Sequence, residues 1–412
     1  MFPGEISRLK ASKASAEGEA PSGFAGGGGD ASPFKGKGLL RKLLVVEHGE
    51  GSCLVIDGKK VVNLSSNNYL GLSNHPRVKE ASIRAIERYG AGAGASRLIS
   101  GHTNTIKELE ERIAGFKSTE AALVFGSGYL ANIGIIPSIA GDGDVIIADR
   151  LNHASIFEGC RISRARLLIY KHKDMNQLEE ILNRYSSCKR RLIITDGLFS
   201  MDGDIAPLKD IVSIARRFGA LVMVDDAHAT GVLGKSGRGT MDHLGIKDGV
   251  DIQMGTLSKA VGCYGGYVAG DKSLINYLIN RARSFMFTTA LPPAIAAAAI
   301  AAFDIIDEMP EIRERLWQNR GYYFKAVTGL GLDTGMSESQ IIPVMIGDEK
   351  RGLEFSERLL ELGVYAPAIR PPTVPKGKTR IRTTIMATHT KEEIDRGINA
   401  LRVVGRELDI IS

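Results

Sequence analysis

Lys259 is the residue in this sequence whose surroundings best suit covalent chemistry. It lies in "GTLSKAVGCYGG" (255–266), between a turn of small residues and a run of glycines. The apolar run "DIQMGT" ends just before it, which predicts that the lysine follows a buried strand. A lysine at such a strand end is costly unless it is solvated, paired or neutralised, and imine formation with a carbonyl compound removes its charge. Taken alone, the same pattern is also typical of a surface lysine.

Three more polar side chains follow apolar runs in the same part of the sequence. Asp225 ends the run "ALVMVD", and His228 comes three positions later. A carboxylate there can pair with a protonated ring nitrogen, and a neighbouring imidazole can hydrogen-bond a phenolic oxygen. His153 follows "DVIIAD" near the start of another helix, where its flat ring could stack on a flat ligand. Each residue taken singly also fits a structural role, as a turn-capping aspartate or a core-edge histidine.

An anion-binding turn is predicted in "VFGSGYLAN" (124–132). The segment reads as a strand, a small-residue turn and the start of a helix, so Ser127, Gly128 and Tyr129 would present free backbone N–H groups to an anion such as phosphate. A tight turn that simply needs glycine is the alternative. The combination favours a functional site more than any single motif does. An anion-binding turn, a stacking histidine, an aspartate–histidine pair and a lysine occur in that order on consecutive elements.

The elements that must position these residues alternate regularly from about residue 105. Helix-period stretches are followed by short, continuous apolar runs, which is the pattern of strands covered by helices on both faces. The sequence therefore predicts an α/β fold with a large, mainly parallel sheet, in which ligands bind at the carboxyl ends of the strands. The predicted strands of this sheet are "AALVF", "DVIIAD", "RLIITDG", "ALVMVDD", "DIQMGT" and "GYVAG".

The pattern of predicted helices and strands changes after about residue 300. Long amphipathic helices and a few strands, among them "IIPVMIG" and "TRIRTTIM", predict a smaller α+β domain. We predict a disordered leader at 1–37, a segment at 38–75 that packs with the small domain, a large domain at 76–300 and the small domain at 301–412.

Composition argues against several classes of function. The chain has 412 residues and a net charge of +6, but its basic residues are spread out, which argues against a nucleic-acid partner. The most apolar window (290–306) contains Pro292 and Pro293 and is too short to cross a bilayer, so it predicts a buried helix and no membrane partner. The four cysteines show neither disulfide nor metal-ligand spacing, which favours a cytoplasmic location and no metal site.

Six ordered motifs resemble the α-oxoamine synthases, a family of pyridoxal 5′-phosphate (PLP) enzymes with the aspartate-aminotransferase fold (fold type I). The resemblance covers about residues 38–410. It implies PLP as the cofactor, bound by a large domain with a mainly parallel sheet, and a smaller C-terminal α+β domain. The motifs are "NLSSNNYLGLSNHP", "ADRLNHASIFEGCR", "TDGLFSMDGDIAPL", "VDDAHATGVLG", "GTLSKAVG" and "VPKGKTRIRT".

The resemblance also implies a role for each matching residue on the cofactor side. Lys259 would bind PLP covalently and later remove the α proton of the amino acid, while Asp225 would pair with the pyridinium nitrogen. His153 would stack on the ring, and His228 would contact the phenolic oxygen. The other implied cofactor contacts are Ser200 beside the ring and, for the phosphate, Ser127, Gly128, Tyr129, Thr256 and Thr288 supplied by the partner subunit.

On the substrate side, the resemblance implies a set of polar contacts. Arg382 would clamp the substrate carboxylate through a bidentate pair, and Asn67 would meet the substrate. Arg370 would be a second active-site arginine, and Arg41 would lie near the acyl-chain entrance. For Arg382 a surface strand position is the alternative, because "TRIRTT" merely alternates.

The implied reaction joins an amino acid to an acyl thioester, carried on CoA or on an acyl carrier protein, with loss of carbon dioxide. The segment "YAPAIRPPTVPKGKTRIR" (365–382) resembles the family members that join L-alanine to a pimeloyl thioester in biotin biosynthesis. In contrast, "RIRTTIMATHT" and "SSNNYLGL" are close to the members that join glycine to acetyl-CoA. The family also implies a homodimer. A catalytically silent PLP-fold subunit is the non-enzyme alternative, but such a subunit has no chemical need for Lys259.

Overall fold

Three sheets and thirteen α-helices make up residues 43–412, the part of the chain that the computed structural model describes. The strands are β1 (His48–Glu50), β2 (Cys53–Ile56), β3 (Lys59–Asn63), β4 (Ala121–Phe125), β5 (Val145–Asp149), β6 (Arg166–Tyr170), β7 (Arg191–Asp196), β8 (Leu221–Asp225), β9 (Ile252–Thr256), β10 (Gly266–Gly270), β11 (Ile341–Gly347), β12 (Val364–Tyr365), β13 (Ala368–Ile369) and β14 (Thr379–Thr384). The α-helices are α1 (Pro76–Tyr89), α2 (Asn104–Lys117), α3 (Gly128–Ile139), α4 (Ala154–Ser163), α5 (Met175–Arg184), α6 (Leu208–Phe218), α7 (Thr240–Leu244), α8 (Lys272–Arg281), α9 (Arg283–Met286), α10 (Pro293–Glu308), α11 (Pro310–Gly329), α12 (Glu349–Glu361) and α13 (Lys391–Glu407).

The central sheet has seven strands in the order β4-β10-β9-β8-β7-β5-β6. The pairs from β9 through β8, β7 and β5 to β6 are parallel, and β10 is antiparallel to both of its neighbours. This arrangement confirms the predicted α/β fold with a mainly parallel sheet. The carboxyl ends of β5, β7, β8 and β9 consequently lie along one edge.

Both faces of this sheet are buried, which explains why its strands read as continuous apolar runs. In β7, Leu192 and Ile194 belong to a core cluster that also contains Ile135 of α3. Ile193, between them, points to the other face and joins a cluster with Ile211 of α6. The sequence patterns did not indicate β6, because this edge strand is only partly buried and lacks a clear alternation.

Two smaller sheets contain strands from the C-terminal part of the chain. Strand β12 pairs in parallel with β3 in the sheet β1-β2-β3-β12, and β11-β14-β13 forms an antiparallel sheet. Val62 and Leu64 share one apolar cluster with Phe355 and Leu401, so the segment after residue 45 packs with the C-terminal helices. Since Val45–Ser412 forms one compact unit, the domain boundaries at 75/76 and 300/301 stay predictions.

The apolar window at 290–306 forms the helix α10, which begins at Pro293. Four of its alanines (Ala296, Ala298, Ala299 and Ala302) and Phe303 lie in the core cluster on one face of the central sheet. Among the described residues, no helix combines the length and the apolar character that crossing a membrane requires. The predicted leader at 1–37 lies outside the described residues.

Candidate active site

Eight of the ten predicted cofactor-side residues meet at the carboxyl edge of the central sheet, around a cavity of about 190 Å³. Strands β8 and β9 end at this edge, and α3 and α4 begin there, so each side chain sits at a strand end or a helix start. The predicted residues that line the cavity are Ser127, Gly128, Tyr129, His153, Asp225, His228, Thr256 and Lys259.

Lys259 lies in the turn between the antiparallel strands β9 and β10. The backbone N–H of Gly262 donates to the Lys259 carbonyl at 2.9 Å. Gly262 has a φ of +73°, and a Cβ there would lie 2.4 Å from the backbone nitrogen of Ser73, so the turn needs glycine. Burial lowers the pKa of Lys259, and the opposing charge of Asp225 offsets this only in part. The lowered pKa favours the uncharged amine, which is the form that attacks a carbonyl group.

Asp225 is held from two directions. Its Oδ2 accepts a hydrogen bond from Asn132 Nδ2 at 2.9 Å, and its Oδ1 accepts one from the backbone N–H of Ala227 at 2.9 Å. Asn132 is itself fixed, because the same Nδ2 donates to Ser155 Oγ at 2.9 Å. The carboxylate is therefore oriented before any ligand binds. Asn132 lies within the predicted anion-binding segment, but only the turn residues of that segment had been singled out.

The start of α3 forms the end of the cavity that suits an anion. Ser127 is the N-cap of this helix, and its Oγ accepts a hydrogen bond from Leu130 N–H at 3.1 Å. A Cβ on Gly128 would lie only 3.1 Å from Met254 Cε and 3.6 Å from Thr256 Cβ, so glycine lets the backbone approach the sheet closely. The free N–H groups and the positive end of the helix dipole thus lie beside the Thr256 hydroxyl, which is an arrangement that stabilises phosphate.

The two predicted histidines line the same cavity in different surroundings. His153 is the N-cap of α4 and is exposed in the single chain, and its Nδ1 accepts a hydrogen bond from Ser155 N–H at 3.2 Å. His228 is buried, and its Nδ1 lies 2.7 Å from the hydroxyl of Tyr69. Burial lowers the pKa of His228 well below its usual value, and the charge of Lys259 lowers it further, so this ring is neutral.

Arg382 on β14 brings the predicted substrate-side and ring-side residues together. Its Nε donates to the carbonyl oxygen of Ser200 at 2.6 Å, and its Nη2 donates to Asn67 Oδ1 at 3.2 Å and to the Tyr69 hydroxyl at 3.4 Å. The arginine is only 6% exposed, which excludes the surface strand position. Through Tyr69 this cluster connects to His228 and hence to the cavity. Tyr69 lies in "SSNNYLGL", but no pattern singled it out.

Among the described residues that the sequence predicted, Asn67, Ser200, Arg382, Thr288 and Arg370 do not line the Lys259 cavity. Thr288 lies in a separate cavity of about 860 Å³, together with Leu130 and Phe287. Its predicted contribution to the site of a partner subunit stays a prediction. Arg370 is buried directly after β13 and is not among the residues that line the Lys259 cavity. Arg41 lies outside the described residues.

Asp196 lines the cavity, although the sequence patterns did not select it. It ends β7 and lies in register with Asp225 at the end of β8. Burial raises the pKa of Asp196 well above its usual range, and the neighbouring charge of Asp225 raises it further, which favours the neutral acid. The signal that could have found it is the one that found Asp225, a carboxylate at the end of a predicted buried strand.

A charge cluster supports the loop that carries Ser200. His172 Nδ1 lies 3.0 Å from Asp149 Oδ1, and His172 Nε2 lies 2.9 Å from Asp204 Oδ2. The ring also meets Phe199, the neighbour of Ser200, edge-on at a centroid distance of 4.5 Å. Burial by itself would lower the pKa of His172, but the two carboxylates outweigh burial and raise the pKa to about 9.

Replacement of His172 by glutamine should remove a pH-dependent part of the stability. Because the folded-state pKa exceeds the ordinary value of about 6.5, a stabilisation of at most about 3 kcal/mol is complete below that value and is lost as the pH rises through about 9. Urea unfolding should show the wild-type free energy of unfolding falling over this window, with a flatter profile for the variant. His243→Gln on the exposed side of α7 is the control and should retain the wild-type slope. A wild-type slope in His172→Gln would contradict the assignment.

The donors and acceptors of the cavity fit PLP. This cofactor presents a phosphate, a pyridine nitrogen, a phenolic oxygen and an aldehyde. The start of α3 with Thr256 suits the phosphate, and the Asp225 carboxylate suits a protonated pyridine nitrogen. The neutral imidazole of His228 suits the phenolic oxygen, and the Lys259 amine suits the aldehyde.

Comparisons with known proteins agree with this chemistry. Residues 59–401 match the family model described as aminotransferase class I and II. A curated 8-amino-7-oxononanoate synthase of Thermoanaerobacter pseudethanolicus is 53% identical over 379 residues, which cover 92% of this chain and 96% of that protein. The protein of the same name from Geobacter sulfurreducens is 51% identical over 385 residues, with 93% and 98% coverage.

A solved structure of SPT with a PLP internal aldimine superposes with a TM-score of 0.87 at 34% identity. The match covers 90% of this chain and 94% of that one. The family model and these relatives span nearly all of the described residues, including every residue that lines the Lys259 cavity. The chain therefore belongs to the class I and II aminotransferase family and, within it, to the PLP-dependent α-oxoamine synthases.

Proposed function

We propose that this chain is an 8-amino-7-oxononanoate synthase, which condenses L-alanine with a pimeloyl thioester in biotin biosynthesis. The observation that carries the proposal is the 53% identity over 92% of the chain to a curated protein of that name. The SPT structure matches a similar share of this chain, 90%, but is only 34% identical. The name of the product agrees with these substrates, because alanine keeps its methyl and amino-bearing carbons when its carboxyl group leaves as carbon dioxide.

The cofactor-side residues hold PLP. Lys259 binds its aldehyde carbon, Asp225 pairs with its ring nitrogen, and the start of α3 with Thr256 binds its phosphate. When bound, PLP supplies the electron sink that stabilises the carbanion left by removal of the α proton of the amino acid. The burial that lowers the pKa of Lys259 favours its uncharged amine, the form that can accept this proton.

Arg382 binds the carboxylate of the amino acid substrate. Its guanidinium is held by the Ser200 carbonyl at Nε and by Asn67 at Nη2, so its orientation is set before the substrate arrives. A planar guanidinium can bind a carboxylate through two parallel hydrogen bonds, and this pairing places the α carbon reproducibly. His153, which lines the same cavity, would stack on the ring of bound PLP.

Replacement of Arg382 by lysine should raise the KM for the amino acid about 10- to 100-fold, because the charge remains but the bidentate pair and the bond to Ser200 are lost. Steady-state kinetics with varied L-alanine measure this. Arg84→Lys, on the exposed surface of α1, is the matched control and should leave KM unchanged. An unchanged KM in Arg382→Lys would show that the carboxylate binds elsewhere.

The complete site is formed by a homodimer. In the single chain, the cavity residue Tyr129 is 48% exposed and His153 is also exposed. Thr288 lies in the neighbouring cavity beside Phe287, which is 70% exposed, so a second chain could cover this apolar surface while receiving Thr288. Sedimentation equilibrium at micromolar concentration tests the dimer. A mass of 44.3 kDa, that of a single chain, would refute it. The four cysteines are unpaired, which supports a cytoplasmic location.

The decisive experiment measures thiol release and product formation by purified, PLP-loaded protein. L-alanine and glycine are each combined with pimeloyl-CoA, pimeloyl carrier protein and acetyl-CoA. The proposal requires turnover of L-alanine with at least one pimeloyl thioester, and the two pimeloyl donors distinguish CoA from carrier protein. Turnover only with glycine and acetyl-CoA would replace the proposal by an acetyltransferase, and an absence of all turnover would favour a silent subunit.

A further inference from the structure

Tyr69 connects the arginine that faces the substrate carboxylate to the histidine that faces the cofactor. It is fully buried, the side-chain amide of Gln340 contacts its hydroxyl as a donor, and three further polar atoms surround the oxygen. These are His228 Nδ1 at 2.7 Å, Asn67 Oδ1 at 3.1 Å and Arg382 Nη2 at 3.4 Å. The hydroxyl does not line the cavity itself, so it acts only through these neighbours.

A count of protons limits the ways in which this cluster can be connected. A guanidinium nitrogen can only donate and an amide oxygen can only accept, so Arg382 donates to both Asn67 and Tyr69. The tyrosine hydroxyl has a single proton, which goes either to His228 Nδ1 or to Asn67 Oδ1. In the first case Nδ1 is an acceptor, and the neutral ring carries its proton on Nε2. In the second case Nδ1 carries the proton and Nε2 is a bare acceptor.

Two observations favour donation from Tyr69 to His228. The distance of 2.7 Å is typical of an O–H donor, whereas N–H donors usually lie about 2.9–3.0 Å from oxygen. The alternative acceptor, Asn67 Oδ1, lies farther away at 3.1 Å and already accepts a hydrogen bond from Arg382. The positive charge of Arg382 also draws electron density from the tyrosine oxygen, which strengthens its O–H as a donor.

We propose that Tyr69 is a positioning residue that fixes the neutral His228 ring with its proton on Nε2, so that a hydrogen-bond donor faces the cofactor cavity. With Nδ1 occupied by Tyr69, Nε2 is the polar ring atom left for a ligand in the cavity that His228 lines. A fixed donor there would stabilise a negatively charged phenolic oxygen. The tautomer follows from the contacts alone, while its use toward PLP rests on the proposed function.

The neutral state of the ring agrees with the charges around it. Burial lowers the pKa of His228 well below its usual value, and Lys259, Arg382 and His153 lower it further. With the imidazolium excluded, only the tautomer is left for the surroundings to decide, and Tyr69 is the residue that contacts the ring nitrogen.

The test uses apoprotein labelled with ¹⁵N-histidine, whose ring nitrogens report the tautomer in two-dimensional NMR spectra. The signals of His228 are assigned by their loss in His228→Gln. For the wild type we expect a protonated Nε2 and a bare Nδ1 between pH 6 and 8. In Tyr69→Phe the ratio of this tautomer to the other should fall about fivefold, which corresponds to the loss of one hydrogen bond.

Tyr323→Phe is the matched control, because it removes the same atom from a fully buried tyrosine in the C-terminal core cluster. It should leave the His228 signals unchanged. A proton on Nδ1 in the wild type would overturn the proposal, and this result does not depend on whether Tyr69→Phe folds. An unchanged ratio in folded Tyr69→Phe would overturn it as well. Failure of the condensation assay would reject the proposed function but leave the NMR result standing.

Discussion

Replacement of Lys259 by alanine is expected to lower the turnover of L-alanine with a pimeloyl thioester by at least about 10³-fold. The change removes the amine that binds the cofactor and, with it, the group proposed to take the α proton. Burial lowers the pKa of this lysine and favours its uncharged amine, and an exposed lysine lacks that burial. Thiol release under saturating substrates measures the loss.

The absorption spectrum gives a second readout of the same variant. The wild-type protein incubated with PLP should show a visible band that survives gel filtration, and Lys259→Ala should lose this band under the same treatment. Lys79→Ala, on the exposed side of α1, is the control and should keep both the band and the turnover. Retention of the band in Lys259→Ala would mean that another residue binds PLP, and the proposed assignment of the cavity would fail.

Replacement of Asp225 by asparagine should lower kcat by about 10²- to 10³-fold, the range typical for loss of one oriented electrostatic contact. Asparagine has nearly the same shape, so its Oδ1 can still accept the hydrogen bond from Ala227 N–H, but its Nδ2 then faces the donor Asn132 Nδ2 and that hydrogen bond is lost. The negative charge that pairs with the ring nitrogen is removed, and the electron sink is weakened. The kcat of the PLP-saturated variant measures this effect separately from any loss of cofactor affinity.

Asp142→Asn provides the matched control for this charge change. Asp142 is exposed in the turn before β5, so its replacement alters the net charge by the same amount without touching the cavity. We expect wild-type kcat for this control. If Asp225→Asn and Asp142→Asn had the same kcat at saturating PLP, the Asp225 carboxylate would have no part in catalysis. The contacts of Asp225 with Asn132 and Ala227 would then be structural only.

The cofactor side of the site is the part that local sequence patterns describe best. Asp225 ends a continuous apolar run, and Lys259 closely follows another, so strand ends can be located from hydrophobicity alone. The carboxyl ends of parallel strands lie at one edge, which is enough to bring these two residues into one cavity. His153 and Ser127 follow from the same reasoning, because helices begin at that edge.

The contacts that orient these side chains could not be predicted in this way. Asn132 and Asp225 are 93 positions apart, and their 2.9 Å hydrogen bond depends on the packing of α3 against the sheet. In the sequence, Asp196 is simply a residue at the end of a strand. Its position beside Asp225 follows from the register between β7 and β8. The antiparallel direction of β10 is a similar case, because an apolar run reports burial but not the direction of its strand.

The sequence by itself determined the α/β layering, the places where buried strands end, and the residue types available there for covalent and acid–base chemistry. Only the tertiary structure decided how the substrate-side cluster is assembled. Tyr69 and Arg382 are separated by 313 positions, yet Arg382 donates a hydrogen bond to the Tyr69 hydroxyl. The same hydroxyl contacts His228 Nδ1. The physical reason is that hydrophobic periodicity reports which face of an element is buried, while hydrogen bonds between distant segments depend on how buried faces pack together.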